Sequence, residues 1–442
     1  MTLRDRLERG PGRPSTAPGA DTAASSTYQE IKAQLHTQLI NNLELSRLDA
    51  LAPDDLRREL RAALETLAHS AQLPLNRVER ERLVQEVIDE VTGLGPLETL
   101  LADPGIADIL VNNFETVYVE RDGLLQKSSV RFRDNAHLLQ IIQRIVSRIG
   151  RRIDETSPMV DARLVDGSRV NAIIPPLALD GPSLSIRRFG TRPLHAADLL
   201  ASNAFSQQML DFMAATVRAK LNILISGGTG TGKTTLLNAL SQFIPHGERV
   251  ITIEDAAELQ LQQPHVVRLE TRPPNVEGKG AVRARELVIN SLRMRPDRII
   301  VGEVRSDEVL DMLQAMNTGH DGSLTTVHAN TPRDSIGRLV NMAGLTTANF
   351  SERFMLQTVA RALNLVIQLT RFPDGTRKVV NISEITGMEG EVITLQDVFE
   401  FRQKGVDANG KVLGEFRATG VRPRCLERIA RAGASVGTGF GT

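Results

Sequence analysis

The segment Leu221 to Leu236, reading Leu-Asn-Ile-Leu-Ile-Ser-Gly-Gly-Thr-Gly-Thr-Gly-Lys-Thr-Thr-Leu, restricts the second half of this chain to one architecture: a short apolar strand that runs through a glycine loop into a helix. Gly227, Gly232, Lys233 and Thr234 fill the spacing G-x-x-x-x-G-K-[ST]. Such glycines let backbone N–H groups turn inward on phosphate oxygens, and the following helix adds its partially positive N-terminus. Gly227, Gly228, Thr229, Gly230, Thr231, Gly232, Lys233, Thr234 and Thr235 are therefore the expected phosphate contacts of a bound nucleoside triphosphate such as ATP. Lys233 is expected on the β/γ-phosphates, and the Thr234 hydroxyl on Mg²⁺. A chance glycine turn would lack the helical Leu236, Leu237 and Leu240 that follow, and a dinucleotide-binding G-x-G-x-x-G cannot be laid on these glycines.

A chain of 442 residues is too long for one simple core and should hold two or three domains. Lys plus Arg and Asp plus Glu are each 53, so no global charge draws it to nucleic acid or to an anionic membrane. It has no Trp and two Tyr, which leaves little material for stacking on bases, and no direct nucleic-acid partner is expected. The single Cys425 excludes an internal disulfide and a cysteine-based metal site. No run reaches the ~18 apolar residues of a membrane span, and Met1 to Thr27 lacks the apolar middle of a signal peptide. A cytoplasmic protein without a membrane span is the expectation.

The fold class expected is α/β. Residues 1–27 are rich in Gly, Pro, Ala, Ser, Thr and Arg and predict a disordered tail. Over 28–95 the rhythm is helical: Leu83, Val84, Val87, Ile88 and Val91 recur at helical spacing after Asn76, a candidate N-cap, and imply a small helical bundle. Over 96–189 short strands at Ile109–Val111 and Thr116–Val119, a helix from about Asn135 to Ile149, and strands flanking Val165-Asp-Gly167 predict a compact α+β domain. A linker over 190–206 leads into 207–442. There, strands at Leu221–Ser226, Val250–Glu254, Arg298–Glu303 and Ser323–His328 alternate with helices, which predicts a largely parallel sheet. Strands at Leu365–Leu369 and Lys378–Glu384 are expected to extend it. Ligands of such sheets bind at the carboxyl ends of the strands, and every motif below falls at one.

Val250-Ile-Thr-Ile-Glu-Asp-Ala-Ala-Glu258 ends a strand in Glu254, Asp255 and Glu258, where an ATPase needs a base for water and support for the metal. Arg298-Ile-Ile-Val-Gly-Glu303 ends in Glu303, with Gly302 in the place where such strands ordinarily carry Asp. Gly319-His-Asp-Gly-Ser-Leu-Thr-Thr-Val-His-Ala-Asn330 puts His320 before a strand and His328 at its end. With Thr325, Thr326 and Asn330, the two histidines suit γ-phosphate sensing better than zinc, which lacks a third ligand at suggestive spacing.

The order of these four blocks resembles the type II/IV secretion ATPase superfamily. The stretches Gly150 to Phe189 and Gly414 to Pro423 look most like its CpaF/TadA class, which powers tight-adherence (type IVc) pili. The resemblance implies a RecA-like P-loop ATPase domain preceded by a small α+β, PAS-like domain and an N-terminal helical bundle. It further implies a homohexameric ring working on inner-membrane platform proteins, with the chain held at that membrane through its partners. Carried onto this sequence, Lys233 and Thr234 bind phosphate and Mg²⁺, Glu258 is the base, Glu303 supports metal and γ-phosphate, and His328 belongs to the histidine block. The division of labour between Glu258 and Glu303 stays open. Arg163, Arg169, Arg187 and Arg188 fall in the domain that faces nucleotide, with a solvated basic face as the alternative. A protein- or DNA-exporting secretion ATPase is the second reading, and a RecA-type nucleic-acid translocase fits the neutral charge less well.

Overall fold

The structure, a computed structural model, describes residues 28, 31–32, 34–39, 52–70, 75–189, 194–274, 279–345, 351–434 and 436. The tail expected over 1–27 and residues 190–193 of the linker lie outside these. Residues 31–32 and 34–39 are helical, and helices α1 (Pro53–Ser70) and α2 (Arg77–Thr92) follow. Asn76 caps α2 reciprocally: its side chain accepts the Glu79 N–H at 2.9 Å and the Glu79 carboxylate accepts the Asn76 N–H at 3.0 Å. The apolar stripe Leu83, Val84, Val87 and Ile88 then packs with Leu60 and Leu64 of α1 and with Ile31, Leu35 and Leu39.

The α+β region runs α3 (Leu97–Leu101), β1 (Ile106–Val111), β2 (Val117–Arg121), β3 (Leu124–Lys127), α4 (Asn135–Arg148), β4 (Met159–Arg163), β5 (Arg169–Ile173) and β6 (Ser183–Arg187). Its sheet has the order β3-β2-β1-β6-β5-β4 with antiparallel neighbours throughout. Asp134 caps α4 through the His137 N–H at 2.7 Å, and α4 buries Leu138, Ile141, Ile142, Ile145 and Val146 in a cluster with Ile109, Val170 and Ile186 of the sheet. β3 and β6 are additions to the strands expected from sequence.

The remaining elements are α5 (Ala196–Ala201), α6 (Gln207–Arg218), β7 (Ile223–Gly227), α7 (Lys233–Ser241), β8 (Val250–Glu254), β9 (Val266–Glu270), α8 (Ala284–Ser291), β10 (Arg298–Val301), α9 (Glu308–Asn317) and β11 (Leu324–Val327). They are followed by α10 (Pro332–Leu345), α11 (Glu352–Ala362), β12 (Leu365–Arg371), β13 (Arg377–Glu389), β14 (Val392–Val406), β15 (Val412–Ala418) and α12 (Leu426–Arg431). The sheet order is β15-β14-β13-β12-β7-β11-β10-β8-β9; from β12 to β9 the neighbours are parallel, and β13, β14 and β15 add an antiparallel wing. Side chains alternate between two cores, one on each face. Ile223, Ile225 and Ile367 enter one, Leu224, Ile253 and Val366 the other. This is an α/β fold with helices on both faces of a mainly parallel sheet, and the carboxyl ends of β7, β8, β10, β11 and β12 share one edge.

The two sheets touch through backbone. The turn at Asp122-Gly123 meets the turn at Asp374-Gly375 so closely that a Cβ on Gly123 would lie 2.9 Å from the Gly375 carbonyl oxygen, and one on Gly375 2.9 Å from that of Asp122. Among the described residues no helix is long and apolar enough to cross a membrane.

Candidate active site

β7 ends at Gly227 and α7 begins at Lys233, with the chain between them curled by positive φ at Gly230 (69°) and Gly232 (92°). Gly227 has no room for a side chain: a Cβ there would lie 2.6 Å from Thr231 Oγ1 and 2.8 Å from the Leu369 carbonyl oxygen. Thr229 is exposed at the tip, and Thr231 Oγ1 donates to the Gly228 carbonyl at 2.9 Å. Lys233 is 8% exposed and its Nζ donates to the carbonyls of Gly227 (3.0 Å) and Gly228 (2.9 Å). Burial lowers its ammonium to about 8, with the Glu303 carboxylate opposing the shift.

From Lys233 a polar chain crosses the sheet edge. His328, one residue past β11, has its Nδ1 3.4 Å from Lys233 Nζ, and its Nε2 lies 2.8 Å from Glu303 Oε1. Burial, reinforced by the Lys233 charge, lowers the His328 pKa, so the ring is neutral near pH 7 and donates Nε2–H to Glu303. Glu303 Oε2 accepts from Arg305 Nε at 2.8 Å, and Arg305 Nη1 reaches Asp255 Oδ2 at 3.3 Å. Lys233, His328, Glu303, Arg305 and Asp255 thus join all four sequence blocks. Arg305 went unmarked in the sequence, although it stands two residues after Glu303.

Glu254 has a different place from the one expected. It is 5% exposed, and its Oε2 accepts the backbone N–H groups of Glu258 (2.7 Å) and Leu259 (2.8 Å), so it shapes the loop that carries Glu258. Burial outweighs these donors and pushes its carboxyl up to about 7, while Oε1 is buried without a partner. The same side chain explains Gly302: a Cβ there would lie 2.9 Å from Glu254 Cγ. Glycine stands where an Asp was expected because Glu254 occupies the space.

The arginines of the α+β region approach from the other side. Strand register sets Arg163 opposite Arg169, Arg169 opposite Arg187, and Arg187 opposite Asp108, so three guanidiniums line one face in a row. Like charges directly opposite one another are unfavourable, and each needs an anion. Arg163 pairs with Glu270 at 3.1 Å and donates to the Ala257 carbonyl at 2.7 Å; Arg169 pairs with Glu258 at 2.9 Å; Arg187 pairs with Asp108 at 3.3 Å. A cleft of ≈ 220 Å³ lies between Arg169, Arg187, Glu258 and the first turn of α7 at Thr234 and Thr235. Both Arg187 and Glu258 act electrostatically on Lys233 across it.

Two expected site residues stand apart from this group. His320 precedes β11 at the amino edge of the sheet: Ser323 Oγ donates to its carbonyl, and the Ser323 carbonyl in turn accepts the Ile223 N–H that opens β7. A strand separates it from the phosphate loop, because β7 and β11 run parallel and in register. Arg188 lines the cleft, but its Nη1 donates to the carbonyls of Asp103 and Ile106 within its own domain, which leaves it a bracing role.

A second cleft, ≈ 310 Å³ and more apolar, opens on the far side of the loop between Leu199, Phe205, Leu236 and Val379, with Thr231, Gly232 and Arg377 at its rim. It shares Leu194 and Thr235 with the first cleft. Together the clefts offer one charged and one more apolar end. Thr234 and Glu303 offer hard oxygen donors of the kind Mg²⁺ takes, one or two from protein with the rest from phosphate and water; among the described residues no group of three or more His, Cys, Asp and Glu is placed to hold a metal.

A glycine cradle at a strand end, a buried lysine on the next helix, carboxylates on neighbouring strands and arginines facing them define a P-loop nucleotide hydrolase. Residues 90–414 match the family model described as Type II/IV secretion system protein, and residues 28–92 that of Type II secretion system protein E, N-terminal domain. The chain belongs to the type II/IV secretion system protein family, and it is an ATPase. A Mycobacterium tuberculosis protein provisionally described as a conjugal transfer protein is 39% identical over 309 residues, 69% of this chain and 87% of its own length. The conjugal transfer protein TrbB of Rhizobium radiobacter is 30% identical over 315 residues, 70% of this chain and 91% of its own. Among solved structures, the VirB11 ATPase of the Brucella suis type IV secretion system, in complex with sulphate, aligns with a TM-score of 0.37 at 26% identity, over 66% of this chain and 96% of that one.

Proposed function

We propose that this chain is the ring-forming ATPase that drives assembly of a tight-adherence pilus at the inner membrane. The observation that supports a motor is the arginine row: a second domain presents Arg169 and Arg187 to the first turn of the phosphate-loop helix, so phosphate charge in the cleft bears on how the two domains sit. Lys233 and the loop N–H groups hold the phosphates, and Thr234 and Glu303 hold Mg²⁺, which neutralises phosphate charge when bound. Glu258 is the base that orients water, released to do so when Arg169 turns from it to phosphate. The flat base of the nucleotide lies in the apolar cleft by Phe205. The assembly is a homohexamer whose partners are membrane-embedded platform proteins. The pilus assignment rests on the Gly150 to Phe189 and Gly414 to Pro423 stretches.

The second reading is export of DNA or protein, and the two relatives described as conjugal transfer proteins favour it. A host strain lacking the chain, complemented with wild type or Lys233→Ala, separates the two. Loss of surface pili with unchanged DNA transfer supports the pilus motor; loss of transfer with normal pili establishes the other reading. Phosphate release by the purified chain, abolished by chelating Mg²⁺, tests the chemistry common to both.

A further inference from the structure

The phosphate loop carries a further contact, at the rim of the apolar cleft, that reaches across to the α+β domain. Arg377, the first residue of β13, donates from Nε to the Gly230 carbonyl at 2.8 Å, while its Nη2 reaches Glu120 Oε1 at 3.1 Å. Arg371, the last residue of β12, reaches the other oxygen, Oε2, at 3.2 Å and donates to the Gly123 carbonyl. Its Nη1 comes within 3.0 Å of where a Cβ on Gly230 would be. Glu120 belongs to β2 of the α+β region and is 7% exposed. One buried carboxylate from one domain therefore holds two guanidiniums of the other, one oxygen to each, and one of those guanidiniums grips the loop.

We propose that Glu120, Arg371 and Arg377 form an interdomain clamp that sets the donor geometry of the phosphate loop, so that the α+β domain tunes ATP affinity from behind the loop. A trans peptide points its C=O and N–H in opposite directions. Holding the Gly230 carbonyl outward therefore turns the Thr231 N–H inward, toward phosphate. A charged donor on that carbonyl also polarises the peptide and strengthens its N–H as a donor. Two arginines this close repel unless a carboxylate lies between them, so Glu120 is what keeps Arg377 on the loop. These are positioning residues; none of the three touches the reacting phosphate.

The proposal rests on the ATPase reading, and the test keeps the two apart. Binding of a fluorescent ATP analogue and steady-state hydrolysis are measured on the full chain for wild type, Glu120→Gln, Arg377→Gln, the double variant, Arg377→Lys and Lys233→Ala. Loss of binding in Lys233→Ala alone upholds the ATPase reading whatever the clamp variants do. Arg377→Gln is expected to raise Kd and KM roughly tenfold, with kcat changed by less than about threefold. Isosteric Glu120→Gln should do the same to a smaller degree, and the double variant should be no weaker than Arg377→Gln, because Glu120 acts through the arginine. Arg377→Lys keeps the charge but cannot span Gly230 and Glu120 together, so it should not restore affinity. Wild-type Kd in Arg377→Gln, or losses that multiply in the double variant, would overturn the clamp. A drop in the unfolding temperature of the nucleotide-free variants with Kd unchanged would also overturn it, leaving a plain structural bridge.

Discussion

The two sheets bring charge to the same cleft by opposite means. In the parallel sheet each candidate group sits beyond the carboxyl end of a different strand: Lys233 after β7, Glu258 after β8, Glu303 after β10, His328 after β11. Each is announced by its own local motif. In the antiparallel sheet Arg163, Arg169 and Arg187 come together through register alone, and nothing local to any one of them says that the other two are beside it. A parallel sheet gathers chemistry at strand ends, while an antiparallel one can rule it across a face.

Removing one guanidinium from the row puts the sharpest strain on this comparison. If Arg169 or Arg187 stabilises transferring phosphate, its change to Ala should lower ATP turnover by roughly 10³-fold or more. If the chain assembles as proposed, mixing these variants with Lys233→Ala subunits would show by rescue whether the arginine serves a neighbour. Wild-type turnover in both arginine variants would leave all the chemistry on the parallel edge. Glu258→Gln and Glu303→Gln are next, each expected to retain ATP and lose turnover by about 10² to 10⁴-fold. Whichever carboxylate is the base should give the larger loss in a single-turnover phosphate-release assay, and the other should show the greater dependence on Mg²⁺ concentration. Lys233→Ala should cost about 10² to 10³-fold in turnover through lost binding, read by titration calorimetry.

The smallest effect concerns stability and falls on the parallel side. Glu254 is held protonated to about 7, so the folded chain carries a proton there that the unfolded chain releases above the ordinary glutamate range. Its contribution therefore declines as pH rises from about 4.5 to about 7 and is flat beyond, a loss of about 3 kcal/mol at most. Glu254→Gln should match wild type near pH 5 and exceed it in denaturant unfolding at pH 8. An unchanged difference across that range would mean that Glu254 is ionised in the fold.

Legibility followed the same division. The parallel strands, α2 with its Asn76 cap and the phosphate loop were readable, because apolar alternation, capping residues and glycine spacing are local signals. β3 was not: all four of its residues are exposed, so its sequence shows no buried face. β9 and the wing strands β14 and β15 were also missed, since their burial is broken by exposed or half-buried runs. Within the site, Lys233, His328, Glu303 and Asp255 are linked through Arg305 into one polar chain. His320 is not part of it, because the strand between the two histidines puts them at opposite edges. Arg305, Arg377 and Glu120 carried no motif; their roles depend on partners 50 to 257 residues away or on a shared carboxylate.

The contact between Gly123 and Gly375 has a mechanical consequence. Two backbone turns with no side chains between them cannot slide or repack, so relative motion of the domains either breaks the contact or rotates about it. β2, which leads into the Gly123 turn, and β5, which bears Arg169, are separated in the sheet by β1 and β6, a lever arm of about 14 Å at the usual strand spacing. A turn of ~10° about the glycines would then sweep Arg169 through ~2 Å, enough to make or sever an ion pair of ordinary length. Any side chain added at this fulcrum acts as a wedge, and its effect is magnified at the far end of the lever.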